Sequence, residues 1–294
     1  MTANSVSSAA YCQGFFADHG GAAYVEQLKK SGFNTVILAL GHPHEQADIY
    51  YGNTLIIRNG VYVGPVGWPE LVASLLKAPT TVNRVLFSIG GADVGDFGNI
   101  ANLIKKYGTG PETALYRNFH ALKSLFPAIE CIDLDDEEQL QASVIVQFSL
   151  MLGRIGLKTT FCPYYQPTFW VDCLKQIEKE APGQVVGFNL QCYSGGGGNE
   201  PAQWIAAIRQ VMGDSFPATF VTPGLSSSQT PDEVREQFEI WRTSGINSGF
   251  LWTYEDAGNQ APAYAQAIRD GLQHPLQGKP PIGKPGERTT GDRA

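Results

Sequence analysis

Acidic and apolar residues alternate along one short segment, Glu130-Cys131-Ile132-Asp133-Leu134-Asp135-Asp136-Glu137. Side chains alternate between the two faces of a β-strand, so Asp133, Asp135 and Glu137 are expected to share one face. When like charges are crowded on a buried face, one carboxyl group keeps its proton near neutral pH while a neighbour stays ionised. The segment therefore predicts a general acid beside an electrostatic partner, the combination that cleavage of a glycosidic bond requires.

The same acids have a second interpretation, because residues 135–138 also have the composition of a first helical turn. Asp133 and Asp135, however, stand inside an apolar, strand-like stretch. Their position favours a strand that carries its acids into the protein interior.

Short β-rich runs alternate with longer amphipathic stretches along the chain, which is typical of a parallel sheet built from βα units. A (β/α)8 TIM barrel needs roughly 250 residues, and the chain has 294. We therefore predict an α/β fold with one barrel, in which Glu137 lies at the C-terminal rim where barrel active sites are built. The eight predicted strands are Tyr11–Phe16, Thr35–Leu40, Arg84–Ile89, Glu130–Asp135, Thr159–Pro163, Val185–Tyr193, Ala218–Pro223 and Ser248–Trp252.

Two connections are longer than a plain βα unit requires. After the second predicted strand, Asn59-Gly60 separates two β-rich runs and predicts a small inserted hairpin. The region Gly91–Phe126 has room for two helices. We expect one catalytic domain over residues 1–273, followed by a flexible tail rich in proline and glycine over residues 274–294.

The acidic segment resembles the DGxDxDxE signature of glycoside hydrolase family 18, which contains chitinases and certain endo-β-N-acetylglucosaminidases. Asp133, Asp135 and Glu137 match its last three acids. Glu130 and Cys131 replace the first Asp and the Gly of the signature. Asp136 stands where many chitinases have an aromatic residue, and an Asp there is more similar to the endo-β-N-acetylglucosaminidase branch.

Three further segments resemble the family in the expected order. Ser88-Ile89-Gly90-Gly91 resembles the SxGG motif of the third strand, from which we assign Ser88 and Gly90 to the substrate site. Gln191-Cys192-Tyr193 resembles the sixth-strand motif, although Ser194 follows where the family often has Asn or Asp. Trp252 matches the tryptophan that ends the eighth strand and lies beneath the reacting sugar.

The resemblance implies a substrate-assisted mechanism that retains the anomeric configuration and needs no cofactor or metal. Glu137 would act as acid and then as base, and Asp135 would orient the 2-acetamido group of the sugar. Asp133 would hold Asp135, and Tyr193 would donate its hydroxyl to the acetamido oxygen. Gln191 and Trp252 are expected to bind substrate, together with two rim aromatics, Phe15 and Tyr164.

The substrate class implied is a chain of β-1,4-linked N-acetylglucosamine, cut internally as by an endo-chitinase. Only about 25 residues separate the last two predicted strands (Gly224–Ser248), so an open cleft is expected. Two alternatives remain: an endo-β-N-acetylglucosaminidase that cuts the chitobiose core of N-glycans, and a catalytically inactive chitinase-like lectin.

The composition limits the classes of partner. A net charge of -7 argues against nucleic acids and anionic membranes, and we expect a monomer whose partner is an N-acetylglucosamine oligosaccharide or polysaccharide. The first ten residues lack a signal-peptide pattern, which predicts a cytoplasmic protein, one exported by a non-classical route, or a sequence trimmed at its N-terminus. The five cysteines, odd in number, are expected to be mostly buried free thiols.

Overall fold

The computed structural model describes residues 6–13 and 21–273. Its strands follow in chain order: β1 (Ser7–Cys12), β2 (Thr35–Pro43), β3 (Ile49–Tyr51), β4 (Thr54–Arg58), β5 (Val61–Tyr62), β6 (Arg84–Gly91), β7 (Ile129–Asp136), β8 (Lys158–Phe161), β9 (Val185–Gln191), β10 (Val221–Ser226) and β11 (Ser248–Trp252). All of these except β3, β4 and β5 are parallel neighbours, and β1 pairs with both β11 and β2. The eight strands thus close into the predicted barrel.

Helices follow the barrel strands and cover them from outside. They are α1 (Ala22–Lys30), α2 (Trp68–Ser74), α3 (Asp96–Tyr107), α4 (Ala114–Leu125), α5 (Ala142–Ile155), α6 (Pro167–Glu180), α7 (Pro201–Met212), α8 (Pro231–Trp241), α9 (Tyr254–Ala257) and α10 (Ala261–Gln273). The two helices expected between Gly91 and Phe126 are α3 and α4. α8 begins with a capping box in which Thr230 and Glu233 satisfy each other's backbone amides.

Two apolar cores stabilise the barrel. The larger one lies between the strands and the surrounding helices. The smaller one fills the barrel interior and consists of Ala9, Tyr11, Ile37, Ala39, Leu86, Cys131, Cys162 and Phe250. Because side chains alternate along β7, Asp133 and Asp135 share the inward face with Cys131 and are buried above this interior core. The column of acids therefore points along the barrel axis toward the rim.

The insertion after β2 is a three-stranded antiparallel extension of the barrel sheet. β4 and β5 form the hairpin predicted from Asn59-Gly60, and β3 joins them to the end of β2. The pairing of β2 with β6 shifts register between Leu38 and Gly41, so that Gly41 lies opposite Ile89. Such a bulge bends a strand and redirects its side chains, and it leads the end of β2 out into the insertion.

Two strands begin more than one residue away from the predicted start. β1 begins at Ser7, because pairing with β2 and β11 imposes an extended backbone on small residues that have little strand propensity of their own. Residues 14–16 of the predicted first strand lie outside the described residues, as does the predicted tail 274–294. Ala218–Phe220 forms a 3-10 turn ahead of β10.

Candidate active site

Asp133 is fully buried and accepts four hydrogen bonds. Tyr11 and Ser88 donate to Oδ2, each at 2.8 Å. Thr160 and Asn189 donate to Oδ1 at 2.6 and 2.9 Å. Burial raises the pKa of Asp133, and these donors oppose that rise. Each carboxylate oxygen thus has two partners, a saturated arrangement that fixes the carboxyl group within the barrel.

Asp135 lies one step closer to the rim and is 3% exposed. Burial raises its pKa well above the ordinary range, and the negative charges of Glu137 and Asp133 raise it further. These effects favour the protonated form of Asp135. Crowded acids are expected to differ in pKa, and in this column the neighbouring charges raise the pKa of Asp135.

Gln191 connects the two outer acids. Its Nε2 lies 3.0 Å from Asp135 Oδ1 and 3.1 Å from Glu137 Oε1. The same nitrogen approaches the Cys162 carbonyl oxygen at 3.3 Å. One neutral amide thus holds both carboxyl groups in a fixed relation, while the carbonyl of β8's following residue fixes the amide.

Glu137 directly follows the last residue of β7 and is partly exposed at the rim. Tyr164 lies beside it, with its hydroxyl 3.5 Å from the Glu137 carbonyl oxygen and its ring 4.3 Å from that of Tyr165. A partly exposed carboxyl group just beyond the strand that carries two buried ones can reach a substrate bound at the rim.

An aromatic floor lies across the barrel from these acids. The rings of Tyr193 and Trp252 are nearly parallel, 15° apart with centroids separated by 6.3 Å. Trp252 also packs on Tyr11 at 5.3 Å. Burial raises the pKa of Tyr193 well above its usual range, and its hydroxyl has no hydrogen-bond partner among residues 6–13 and 21–273. A neutral phenol donor therefore stands available at the site.

Two residues of the β6 motif support the acids, Ser88 by a hydrogen bond and Gly90 by leaving room for the β7 backbone. Ser88 donates to Asp133, as described above, while Gly90 has a positive φ of 105° and pairs opposite Asp135. A Cβ at position 90 would lie 2.2 Å from the Asp135 carbonyl oxygen. Only glycine can occupy this position, because any side chain would collide with the backbone that carries the acid.

Solved structures with this architecture include an N-acetylglucosaminidase of glycoside hydrolase family 18 from Paenibacillus barengoltzii (TM-score 0.60, 12% identity, 91% of this chain and 100% of that chain covered). A chitinase-like agglutinin from Robinia pseudoacacia matches similarly (0.60, 11% identity, 88% and 99%). A class V chitinase from Nicotiana tobaccum in complex with NAG4 does so too (0.58, 10% identity, 90% and 99%). No protein-family profile and no curated protein sequence matches the chain.

The chain has the family 18 chitinase fold. The similarity spans nearly the whole chain, and the fold implied by the acidic segment is thereby confirmed.

Of the two departures from the signature at the start of β7, one lies outside the barrel and the other lies beneath Asp133 on the inward face. Glu130 is exposed at the N-terminal end of the strand and pairs with Arg84 at 2.6 Å. Cys131 belongs to the interior core, with Sγ 3.8 Å from Thr160 Oγ1. Neither side chain is among the hydrogen-bond partners of Asp135 or Glu137.

Asp136 has a structural position. It is buried, and its carboxylate accepts the backbone N–H groups of Glu138, Gln139 and Leu140 at 2.8 to 3.1 Å. These bonds form the turn that follows Glu137. The presence of Asp at this position therefore has a local explanation that does not depend on the substrate.

Four residues of the site were not predicted from the sequence. Tyr11, Thr160, Cys162 and Asn189 surround Asp133 or Gln191 from three different strands. The available signal was alternation, since Asn189, Gln191 and Tyr193 occupy every second position and so face the interior together.

Some expectations concern residues or groups outside this arrangement. Phe15, assigned to substrate binding, lies outside the described residues. All five cysteines are free thiols, and four are buried. Within the described ranges, no group of three His, Cys, Asp or Glu side chains could hold a metal ion, and no helix there is both long and apolar enough to cross a bilayer.

Proposed function

We propose that this protein is a glycoside hydrolase of family 18 that cleaves chains of β-1,4-linked N-acetylglucosamine, with Glu137 as acid and base. One observation carries the proposal: Asp133, Asp135 and Glu137 form a single inward column, and the Gln191 amide bridges the outer two. A saturated inner acid, a buried middle acid with a raised pKa and an accessible outer acid have the graded environments that general acid catalysis uses.

In the first step, Glu137 gives a proton to the glycosidic oxygen as the bond from that oxygen to the anomeric carbon breaks. The carbonyl oxygen of the sugar's own 2-acetamido group forms the new bond to the anomeric carbon, giving an oxazolinium intermediate. The Gln191 amide holds Asp135 beside Glu137, the group that carries the proton for this step. When that proton is on Glu137, Asp135 is the carboxylate that accepts the acetamido N–H.

Tyr193 and Trp252 supply the groups that hold the acetamido sugar. The Tyr193 hydroxyl donates to the acetamido oxygen, and the indole of Trp252 lies under the sugar ring, as apolar sugar faces pack on aromatic rings. In the second step Glu137 takes a proton from water, whose oxygen attacks the anomeric carbon and opens the oxazolinium ring. The anomeric configuration is retained.

The connection between β10 and β11 supports internal cleavage of the chain. It holds α8 and one 3-10 turn, Arg242–Ser244, so no additional lobe rises there beside the barrel mouth. An endo-acting chitinase is the form of the proposal that agrees best with this compact connection.

A lectin is the second candidate, because an agglutinin from Robinia pseudoacacia has the same fold. A binding protein needs the aromatic floor but has no use for an acid at the rim. The retained Glu137, held by Gln191 at 3.1 Å, therefore favours the hydrolase.

The test compares release of 4-methylumbelliferone from its chitotrioside by the wild type, Glu137→Gln and a matched control, Glu180→Gln, at an exposed position on α6. We expect cleavage by the wild type and the control, and a loss of about 10²-fold or more in Glu137→Gln. NMR of the first product formed should show the β-anomer, since the configuration is retained.

Three other outcomes would favour a different function or mechanism. A wild type that binds the oligosaccharide without cleaving it would favour the lectin. Cleavage of a high-mannose glycoprotein, with no cleavage of chitin oligomers, would place the activity on N-glycan cores. Equal activity of Glu137→Gln and the wild type would remove Glu137 from the mechanism.

A further inference from the structure

A buried thiol lies beside the acid column and has no part in the mechanism described above. Cys162 directly follows β8, is 2% exposed and belongs to the interior core. Its backbone N–H donates to the Leu134 carbonyl oxygen at 2.9 Å, which continues the pairing of β7 with β8 beyond the end of β8. Because Leu134 and Phe161 are partners in this pairing, the residues that follow them lie at the same level of the barrel. These two residues are Asp135 and Cys162.

The sulfur of Cys162 has three polar neighbours. Tyr11 Oη lies 3.3 Å from Sγ, and Gln191 Nε2 lies 3.7 Å from it. The third neighbour is the carboxyl group of Asp135, with which the thiol forms a side-chain hydrogen bond. The thiol therefore contacts a donor of the inner acid, the amide that bridges the outer acids, and the middle acid itself.

The Cys162 thiol keeps its proton. Burial raises its pKa well above the usual range, and the negative charges of Asp135 and Asp133 raise it further. A protonated thiol has one hydrogen to donate. Since the Tyr11 hydroxyl gives its own single hydrogen to Asp133 at 2.8 Å, the thiol hydrogen has two acceptors within reach, the Tyr11 oxygen and the Asp135 carboxyl group.

The charge of Asp135 decides between these two acceptors, because hydrogen bonds to ionised acceptors are stronger than bonds to neutral ones. A protonated Asp135 leaves the thiol bonded to the Tyr11 oxygen, and an ionised Asp135 draws the thiol hydrogen to itself. Burial and then the charges of Glu137 and Asp133 raise the pKa of Asp135, and the hydrogen bond from Cys162 opposes that rise.

The other titratable groups that face Asp135 are acids and phenols, so they supply no positive charge. They are Asp133, Glu137, Tyr11, Tyr193 and Tyr164. On β6 the residue opposite Asp135 is Gly90, which has no side chain. The ionised form of Asp135 therefore depends on two uncharged donors, the Gln191 amide and the Cys162 thiol.

We propose that Cys162 is a positioning residue that donates its thiol hydrogen to Asp135 when that carboxyl group is ionised. This proposal rests on the proposed function and adds a residue to it. The bond favours the form in which Glu137 carries the proton and Asp135 is the carboxylate that accepts the acetamido N–H. A serine at this position would stabilise the carboxylate more strongly, because a hydroxyl is a better donor than a thiol, and an alanine would not stabilise it.

The test measures kcat/KM against pH for the wild type, Cys162→Ser and Cys162→Ala on 4-methylumbelliferyl chitotrioside. Serine and alanine leave nearly the same space in place of the sulfur, so the difference between the two variants reports the hydrogen-bond donor. Because ionised Asp135 is the active form, the midpoint of the acid limb should be lowest in Cys162→Ser, intermediate in the wild type and highest in Cys162→Ala. We expect about one pH unit between the two variants.

The matched control is the same pair of substitutions at Cys173, a buried thiol of the outer core on α6. Both control variants should keep the acid limb of the wild type. Coincident acid limbs in Cys162→Ser and Cys162→Ala, or limbs in the reverse order, would overturn the role of the thiol. The proposed function would stand in that case, because the wild type cleaves the substrate.

A second measurement does not depend on activity. Thermal unfolding of the two Cys162 variants is followed from pH 4 to pH 9. Alanine leaves the folded-state pKa of Asp135 higher than serine does, so Cys162→Ala should lose more stability as pH rises through that pKa. The Tm of Cys162→Ser minus the Tm of Cys162→Ala should therefore increase with pH, and the increase should vanish when both variants also carry Asp135→Asn.

This readout separates the two proposals if the wild type cleaves no substrate. The proposed function then fails, and a Tm difference that increases with pH still supports the hydrogen bond from Cys162 to Asp135. A Tm difference that is the same at every pH would overturn the bond.

Discussion

The amide nitrogen of Gln191 lies 3.1 Å from a carboxylate oxygen of Glu137. The same nitrogen also reaches Asp135, so a single uncharged donor determines the separation of the two acids. Its own position depends on the backbone of residue 162, one strand away. The two acids are thus aligned from neighbouring strands as well as from their own.

Gln191→Leu is expected to reduce activity without unfolding the protein. Leucine has a similar volume but donates no hydrogen bond, and bonds to charged acceptors contribute about 1.5–3 kcal/mol each. We expect kcat/KM to fall about 10- to 100-fold, with a changed pH–rate profile because the coupling of the two acids changes. Gln147→Leu, an exposed amide on α5, is the matched control and should retain wild-type activity. Wild-type kcat/KM in Gln191→Leu would contradict the bridging role.

Asp135→Asn should be less active than the wild type, and its stability relative to the wild type should increase as pH rises. The folded-state pKa of Asp135 is raised by burial and by its acidic neighbours, so the folded protein holds this proton more tightly than the unfolded chain does. Its contribution to stability is full below the unfolded pKa, about 3.9, and is lost as pH rises through the folded pKa. Asparagine removes that loss.

Thermal unfolding at pH 4 and pH 8 would check this prediction. The difference in Tm between Asp135→Asn and the wild type should be larger and more positive at pH 8 than at pH 4. Asp214→Asn, at an exposed position, should show no such trend. A pH-independent difference for Asp135→Asn would mean that this carboxyl group does not govern the effect.

Gly90→Ala should destabilise the protein strongly. Two glycines have nearly the same positive φ but different surroundings: Gly90 has φ 105° and a Cβ there would lie 2.2 Å from a backbone oxygen, while Gly213 has φ 104° and open space around it. Gly213→Ala reports the cost of the positive φ alone, about 1–3 kcal/mol. Gly90→Ala adds a displacement of the β7 backbone and should cost clearly more, as well as activity. Urea unfolding measures both variants, and equal free energies of unfolding would argue against the steric reason.

Much of the barrel was predictable because its signals are local. Alternation within β7 and the Asn59-Gly60 turn each depend on a few consecutive residues, and both predictions are confirmed by the strand assignments. The first strand was misplaced because its small residues are extended only through pairing with β2 and β11. No local pattern contains that information.

The surroundings of the acids were harder to predict for the same reason. Tyr11 meets Asp133 across 122 residues of sequence, and His42 meets Asp96 across 54. A single polar residue in an apolar strand gives no indication of its partner. Gln191 could be assigned from the sequence because it lies two residues from Tyr193 and so shares its strand face.

The three consecutive acids after Asp135 have different positions and different contacts. Asp136 closes its own turn, Glu137 stands at the rim, and Glu138 holds the neighbouring loop at Val94 and Gly95. Because they are chemically alike, only their order along the chain distinguishes them. The segment can therefore exchange residues more readily than it can change length: one inserted or deleted residue would bring a turn-forming acid to the rim and leave a loop untethered. The spacing of these acids along the chain therefore determines which carboxyl group stands at the rim.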